Sequence, residues 1–323
     1  MSSRAVGVVV AVLLVVGAAG CAWHRSDGDG TVTPTGRTTD ESVTTPDGRT
    51  RTYHVHVPDT LPPGAVPLLV ALHGGTGSGP QFERTSGFDG IADAQGFIVV
   101  YPDGVGTKVL PDNRVWNGGA CCGVAQEGRD DVDDVGFIAT VVDRVEAGHA
   151  IDPARVVATG HSNGAIMAYR LACELADTIT AIGVQAGTVE VDGCRPSRPV
   201  SVLAIHGTAD ENIPIDGGTG SHSLSRTDFV SPRASVAAMA RADGCPDDAD
   251  RATDPHNPDV VVATWSPCTG GSEVRWIEVA GANHAWMGHP ATSGLSEEVV
   301  GEPYPDLDAS VVIWAFLEAH PRR

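Results

Sequence analysis

From residue 51 onward the chain alternates short apolar runs with longer stretches of mixed polarity. The runs at 53–57, 66–73, 97–101, 155–161, 200–206 and 274–279 are short and rich in β-branched residues, which predicts strands. Several are apolar at consecutive positions, as strands covered on both faces must be. Helical spacing of apolar residues appears at 88–95, 134–146, 163–175, 233–241 and 308–320. In the last of these, Val311, Val312, Trp314, Phe316 and Leu317 fall within three turns and predict a broad face packed on a sheet. Such alternation predicts an α/β fold, a mostly parallel central sheet with helices on both faces. No internal repeat is visible. With 323 residues, 41% of them hydrophobic, the chain can bury one sizeable core, and a single domain over 47–323 is expected.

The amino-terminal segment departs from this pattern. One cation, Arg4, precedes an uncharged run of Val, Leu and Ala that ends at Gly20, so 1–20 reads as a signal peptide, too short for a comfortable membrane span. Cys21 follows the small residues Ala18, Ala19 and Gly20, an arrangement that resembles the lipobox of bacterial lipoproteins, although Ala18 stands where Leu is usual. Cys21 is therefore a candidate for acylation, with plain secretion as the alternative. Residues 21–46 are dominated by Asp, Gly, Thr, Ser and Pro and predict a flexible tether. Asp27-Gly28-Asp29-Gly30 lacks the later glutamate of a calcium loop. The stretch 244–259, rich in Asp and Pro, predicts an exposed excursion.

Six cysteines remain after Cys21: Cys121, Cys122, Cys173, Cys194, Cys245 and Cys268. An even number in an exported chain predicts disulfides, and the spacings match no zinc-type pair of CxxC motifs, so no metal is expected. Adjacent cysteines bridge one another only in strained geometry, which sends Cys121 and Cys122 elsewhere, with Cys173 and Cys194 as candidate partners. Cys245 and Cys268 would then close a local loop worth roughly 3 kcal/mol. The formal net charge of −20 disfavours nucleic acid and anionic lipid as partners, leaving the anchor at Cys21 as the expected link to a membrane.

Candidate chemistry centres on Gly160-His161-Ser162-Asn163-Gly164. It fits G-x-S-x-G, in which a serine sits on a tight turn between a strand and a helix and glycines relieve the crowding on either side. The predicted strand before it and helix after it supply that context. His73-Gly74-Gly75-Thr76-Gly77 follows another predicted strand, where a backbone amide of Gly75, or alternatively Thr76, would join that of Asn163 in an oxyanion hole. His206-Gly207-Thr208-Ala209-Asp210 places a carboxylate after a third strand, with Glu211 and Asp216 as rivals for its role. Asn283-His284-Ala285-Trp286 follows a fourth and supplies a general base. The order Ser162, Asp210, His284 is that of the α/β-hydrolase fold and of no other serine-hydrolase architecture. A serine carboxylic-ester hydrolase working through an acyl-enzyme at Ser162, without cofactor, is the expected function. A catalytically silent, envelope-anchored binding lipoprotein of the same fold is the alternative. A peptidase shares the triad, but nothing supplies the amine-binding acids such enzymes use.

These motifs, together with Trp116-Asn117-Gly118-Gly119, Cys121-Cys122-Gly123, Asp133-Asp134-Val135-Gly136-Phe137, Tyr169-Arg170-Leu171-Ala172-Cys173-Glu174 and His284-Ala285-Trp286, give the chain a wider resemblance. Over about 51–317 it resembles the exported polyhydroxybutyrate depolymerase-like and feruloyl esterase-like family, which includes LpqC-like lipoprotein esterases. The resemblance implies Ser162 as nucleophile, Asp210 as acid, His284 as base, and disulfides of the vicinal cysteines beside the site. It also implies a small or oligomeric ester substrate: hydroxyalkanoate oligomers, or feruloyl or acetyl groups on polysaccharide. Gly75, where the family often has Cys, and Met287, where it often has Pro, depart from its pattern and leave the acyl preference open. Trp116 and Trp286 are candidates to line the substrate cleft. Asp133 and Asp134 precede a helix, so capping is expected of them, or, for Asp134, bracing of the loop that bears Cys121 and Cys122.

Overall fold

A computed structural model describes residues 34–106, 112–122, 132–290 and 298–323. The expected signal peptide, Cys21 and the tether as far as residue 33 lie outside the described residues. Among the described residues, ten strands form one sheet: β1 (Arg37–Thr44), β2 (Thr50–Val57), β3 (Val66–Leu72), β4 (Ile98–Pro102), β5 (Ile151–His161), β6 (Ala181–Gln185), β7 (Ser201–Gly207), β8 (Asp250–Thr253), β9 (Val260–Trp265) and β10 (Val274–Val279). Their order across the sheet is β1-β2-β4-β3-β5-β6-β7-β10-β9-β8. The stretch from β4 to β10 is parallel, and antiparallel pairs close each edge.

Side-chain alternation divides the core into two layers. On β3, Leu68, Val70 and Leu72 point to one face and Leu69 and Ala71 to the other, all fully buried. Against the first face pack α3 (Asp134–Gly148) through Phe137, Ile138 and Val141, α4 (Asn163–Glu174) through Met167 and Leu171, and α5 (Pro232–Ala242) through Val236 and Met239. The second face takes α1 (Gly79–Ser86) through Phe82, α2 (Phe88–Gln95) through Phe88 and Ala92, and α6 (Ala309–Ala319) through Val312, Ile313, Trp314, Phe316 and Leu317. Val311 departs from the expected apolar face: it is 46% exposed, one position outside the buried stripe. No described helix is long and apolar enough to cross a membrane.

Two expectations are corrected here. Residues 37–44, predicted as tether, form edge strand β1, which pairs along its whole length with β2. Its side chains are polar and, apart from Val43, not buried; main-chain hydrogen bonding holds it, and that leaves no hydrophobic signature. The expected excursion at 244–259 contributes the exposed edge strand β8. The remaining elements absent from the sequence reading are α1, which opens on Gly79-Pro80, the short β6 interrupted by Gly183, and β9.

The expectation for the vicinal cysteines is also corrected, while the expected loop closed by Cys245 and Cys268 is present. Cys121 and Cys122 bridge each other, and Cys173 bridges Cys194, while Cys245 joins Cys268. Cys122 takes a left-handed backbone, φ 77°, which brings the two neighbouring sulfurs together, and Cys173 at the end of α4 faces Cys194 with Cα atoms 5.1 Å apart.

A buried carboxyl gives the fold a pH signature. Burial lifts Asp243, just after α5, from 3.8 to about 6, although the Val200 N–H donates to it at 3.1 Å. The unfolded chain releases that proton at lower pH, so between about pH 4 and 6 the native state holds more protons and loses stability as pH rises. Asp243→Asn keeps an acceptor for Val200 and carries no charge. In urea titrations it is expected to be more stable than wild type by about 1–2 kcal/mol at pH 7, with the gap closing by pH 4. An equal gap at both pH values would exclude the carboxylate as its cause.

Candidate active site

Sheet topology locates the site. The chain runs from β3 to β4 on one side, then crosses to β5 on the other, so adjacent strands β3 and β5 send their following loops in opposite directions. A crevice opens at the carboxyl ends of strands where the order reverses in this way. His73-Gly74-Gly75 leaves β3 there, and Ser162 leaves β5.

Ser162 joins β5 to α4 with φ 55° and ψ −122°, a conformation rare for a residue with a side chain. The turn is tight enough that a Cβ at Gly160 would lie 2.3 Å from the Gly164 carbonyl oxygen, and one at Gly164 would lie 2.2 Å from that of Leu72. Both glycines of the pentapeptide are thus required by backbone contact. Asn163 is the first residue of α4, so its N–H has no acceptor within the helix.

His284, on the loop after β10, stands between Ser162 and Asp210. Its Nε2 is 2.8 Å from Ser162 Oγ and its Nδ1 is 2.7 Å from Asp210 Oδ2. Asp210 is buried after β7, and its other oxygen accepts the N–H groups of Asn212 and Ile213 at 2.9 and 2.8 Å. Burial alone would raise this carboxyl, but the His284 imidazole, His206 and the backbone donors outweigh it and hold it down to about 2. An ionised Asp210 can only accept, which fixes the proton of neutral His284 on Nδ1 and turns the Nε2 lone pair toward the serine hydroxyl. The rivals lie elsewhere: Glu211 faces His222 at 3.5 Å and Asp216 pairs with Arg233 at 2.8 Å.

Neighbours absent from the sequence reading hold these groups in place. Gln185, at the end of β6, donates to the Ala285 carbonyl at 2.7 Å and accepts the Met287 N–H at 3.0 Å, fastening the loop of His284 from both sides. His161 Nε2 donates to the His284 carbonyl at 2.7 Å. Burial, reinforced by His284, drops its pKa to about 3, so it serves as a neutral donor. His73 is likewise kept neutral, lowered to about 4 chiefly by burial. Its Nδ1–H donates to the Gly74 carbonyl at 2.7 Å, and its Nε2 accepts the Gly104 N–H at 2.9 Å, pinning the glycine turn. The Asn163 side chain, also unforeseen, holds Trp116 by both main-chain groups, Oδ1 accepting its N–H at 2.6 Å and Nδ2 donating to its carbonyl at 3.1 Å.

A cavity of about 790 Å³ opens over Ser162. Cys121, Cys122, Ile166, Ile213 and Phe229 line it as one packed apolar cluster, and Phe82, Trp286, Val299, Val300 and Pro303 add further apolar lining. Gly75, Thr76, Asn163 and His284 also line it. Trp286 lines this cavity, with its ring edge-on to Phe82 and its Nε1 donating to Ser310. Trp116 does not. It is buried behind the site, packed on the His73 ring at 5.0 Å with its Nε1 donating to the His73 carbonyl, where an aromatic ring braces the glycine turn and cannot meet a ligand.

Asp133 caps α3 by accepting the Gly136 N–H at 2.7 Å. Asp134 accepts from Arg51 in a buried ion pair and from the Asn117 N–H, both at 2.7 Å, and so braces the loop that leads to Cys121. Among the described residues, no group of three or more His, Cys, Asp or Glu is placed to hold a metal ion.

Comparison with known proteins agrees with this architecture. Residues 52–225 match the family described as Esterase PHB depolymerase. The chain is 30% identical to feruloyl esterase B of Piromyces equi over 68% of its own length and 40% of that protein's. It is 32% identical to the putative esterase NocK of Nocardia uniformis subsp. tsuyamanensis over 73% of its own length and 71% of the relative's. The bifunctional acetylxylan esterase/xylanase XynS20E of Neocallimastix patriciarum is 26% identical over 72% of this chain, which spans only 30% of that longer protein. Among solved structures, the acetyl xylan esterase from Aspergillus awamori superposes with a TM-score of 0.56 over 80% of this chain and 98% of its own, at 15% identity, a likeness of fold. With an α/β-hydrolase sheet and a family match across more than half its length, the chain belongs to the PHB depolymerase family of esterases.

Proposed function

We propose that the protein is a serine esterase that cleaves carboxylic esters through an acyl-enzyme on Ser162. One observation carries this reading: His284 stands within hydrogen-bond reach of both Ser162 Oγ, at 2.8 Å, and Asp210, at 2.7 Å. Ser162 Oγ attacks the ester carbonyl carbon while its proton passes to His284 Nε2. Asp210, ionised throughout, stabilises the resulting imidazolium. The negative charge on the tetrahedral oxygen is met by the backbone N–H groups of Asn163 and Gly75, an arrangement worth about 10²–10³ in rate per donor. His284 returns the proton to the departing alcohol, and water, activated in the same way, releases the acid and restores Ser162.

The apolar lining of the cavity supports an ester with an apolar portion. Feruloyl or acetyl esters on polysaccharide, and short hydroxyalkanoate oligomers, make up the substrate class we propose. Export with removal of residues 1–20 and lipid anchoring through Cys21 complete the reading, supported by the disulfides and by the sequence of the leader. Initial rates on p-nitrophenyl acetate, p-nitrophenyl butyrate and methyl ferulate test it. Saturable hydrolysis of at least one is expected; turnover of none by folded protein at neutral pH would overturn it.

A further inference from the structure

The Cys121–Cys122 bridge touches the serine turn through one side chain. Asn163 is 4% exposed, and every hydrogen-bonding group of its amide facing the protein is engaged. Its Oδ1 accepts the Trp116 N–H, and its two Nδ2 hydrogens go to the Trp116 carbonyl at 3.1 Å and to Cys122 Sγ at 3.0 Å. Because Oδ1 is committed to a backbone donor, the amide cannot flip, and the sulfur is the acceptor for the remaining hydrogen. The same residue offers its main-chain N–H beside Ser162. On its other side the bridge is tied to the loop between β7 and α5, where the Cys122 N–H donates to Thr227 Oγ1 at 3.0 Å. Cys121 packs with Ile166, Ile213 and Phe229 in a small cluster that lines the cavity.

We infer that the Cys121–Cys122 disulfide is a positioning device for Asn163, holding that residue's backbone N–H where it meets the charge developing on the substrate oxygen. The inference rests on the esterase reading above. A ring closed by adjacent cysteines keeps Cys122 Sγ against Asn163, whereas a free thiol rotates about its own bond and leaves a buried N–H without its acceptor. Asn163 then shifts to find another partner, and the first residue of α4 shifts with it. An oxyanion donor acts only where it is already aimed, so a small displacement lowers the rate of the chemical step more than it weakens binding of the ground state.

Two arms test this. In the first, Cys121→Ala/Cys122→Ala, which removes the acceptor with the bridge, is assayed on p-nitrophenyl acetate. In the second, the folded wild-type chain is treated with dithiothreitol, which gives two electrons to the bridge and closes to its own cyclic disulfide, leaving two thiols. Alkylation and peptide mass then identify the chains in which only this pair has opened. Both arms are expected to lower kcat about tenfold or more while KM changes less than about threefold, and reoxidation of the unalkylated sample is expected to restore kcat. An unchanged kcat with the pair open would overturn the inference and leave the esterase reading standing. A wild-type chain without turnover or serine labelling would overturn both.

Discussion

Replacing Ser162 with alanine is expected to lower ester turnover by about 10⁴-fold or more with the fold unchanged. The size of the effect follows from the covalent step. Without Oγ no acyl-enzyme forms, and His284 is left to activate water at a distance set for a serine oxygen. What survives comes from the cavity and from the N–H groups of Asn163 and Gly75, which still favour a charged oxygen. The fold is expected to tolerate the change: Ser162 caps no helix with its side chain, and alanine removes one oxygen from the cavity wall. Turnover and thermal unfolding measured on the same preparation separate the two effects. A loss of less than about tenfold would place the nucleophile elsewhere.

Asp210→Asn is expected to cost about 10³–10⁴ in kcat, with KM little altered. The amide can still accept the Asn212 and Ile213 N–H groups through one oxygen, so the loop keeps its shape. Its nitrogen then faces His284 Nδ1 and donates to it, which moves the imidazole proton to Nε2 and turns a donor, where a base is needed, toward Ser162. The substitution also removes a stability term. Because the folded-state pKa of about 2 lies below the ordinary 3.8, the carboxylate stabilises the native state above about pH 4, and that contribution fades as pH falls toward 2. The variant should therefore differ from wild type in stability at pH 7 and lose much of that difference in strong acid.

Most of the sheet could be read from the chain because its parallel strands are apolar at consecutive positions, a pattern that follows from being covered on both faces. Runs such as 66–73 and 274–279 reappear as β3 and β10 with at most one residue of difference. Edge strands obey another rule. β1 and β8 are held by main-chain hydrogen bonds and face water, so 37–44 resembles linker by composition and strand only by pairing.

Ser162, Asp210 and His284 were legible for a topological reason. Each follows directly on a strand that reads clearly, and parallel strands deliver their following loops to the same edge of the sheet. What the chain could not convey were contacts between distant segments. Glu211 and Asp216 are indistinguishable from Asp210 by position alone, and only the fold turns them toward His222 and Arg233. Gln185 lies a hundred residues from the loop it fastens, and nothing in the segment around it marks a buried amide as functional. The vicinal bridge is not legible in the chain because the left-handed backbone at Cys122 that accompanies it is a property of the fold.

Covalent labelling of Ser162 tests the central claim most directly. A fluorophosphonate requires a serine whose hydroxyl is activated by a neighbouring base and whose phosphoryl oxygen is received by backbone donors. Folded wild-type protein at neutral pH is expected to take up one adduct per chain, located by peptide mass on the segment holding Ser162, and Ser162→Ala is expected to take up none. An unlabelled wild-type chain, or an adduct on another residue, would contradict the account.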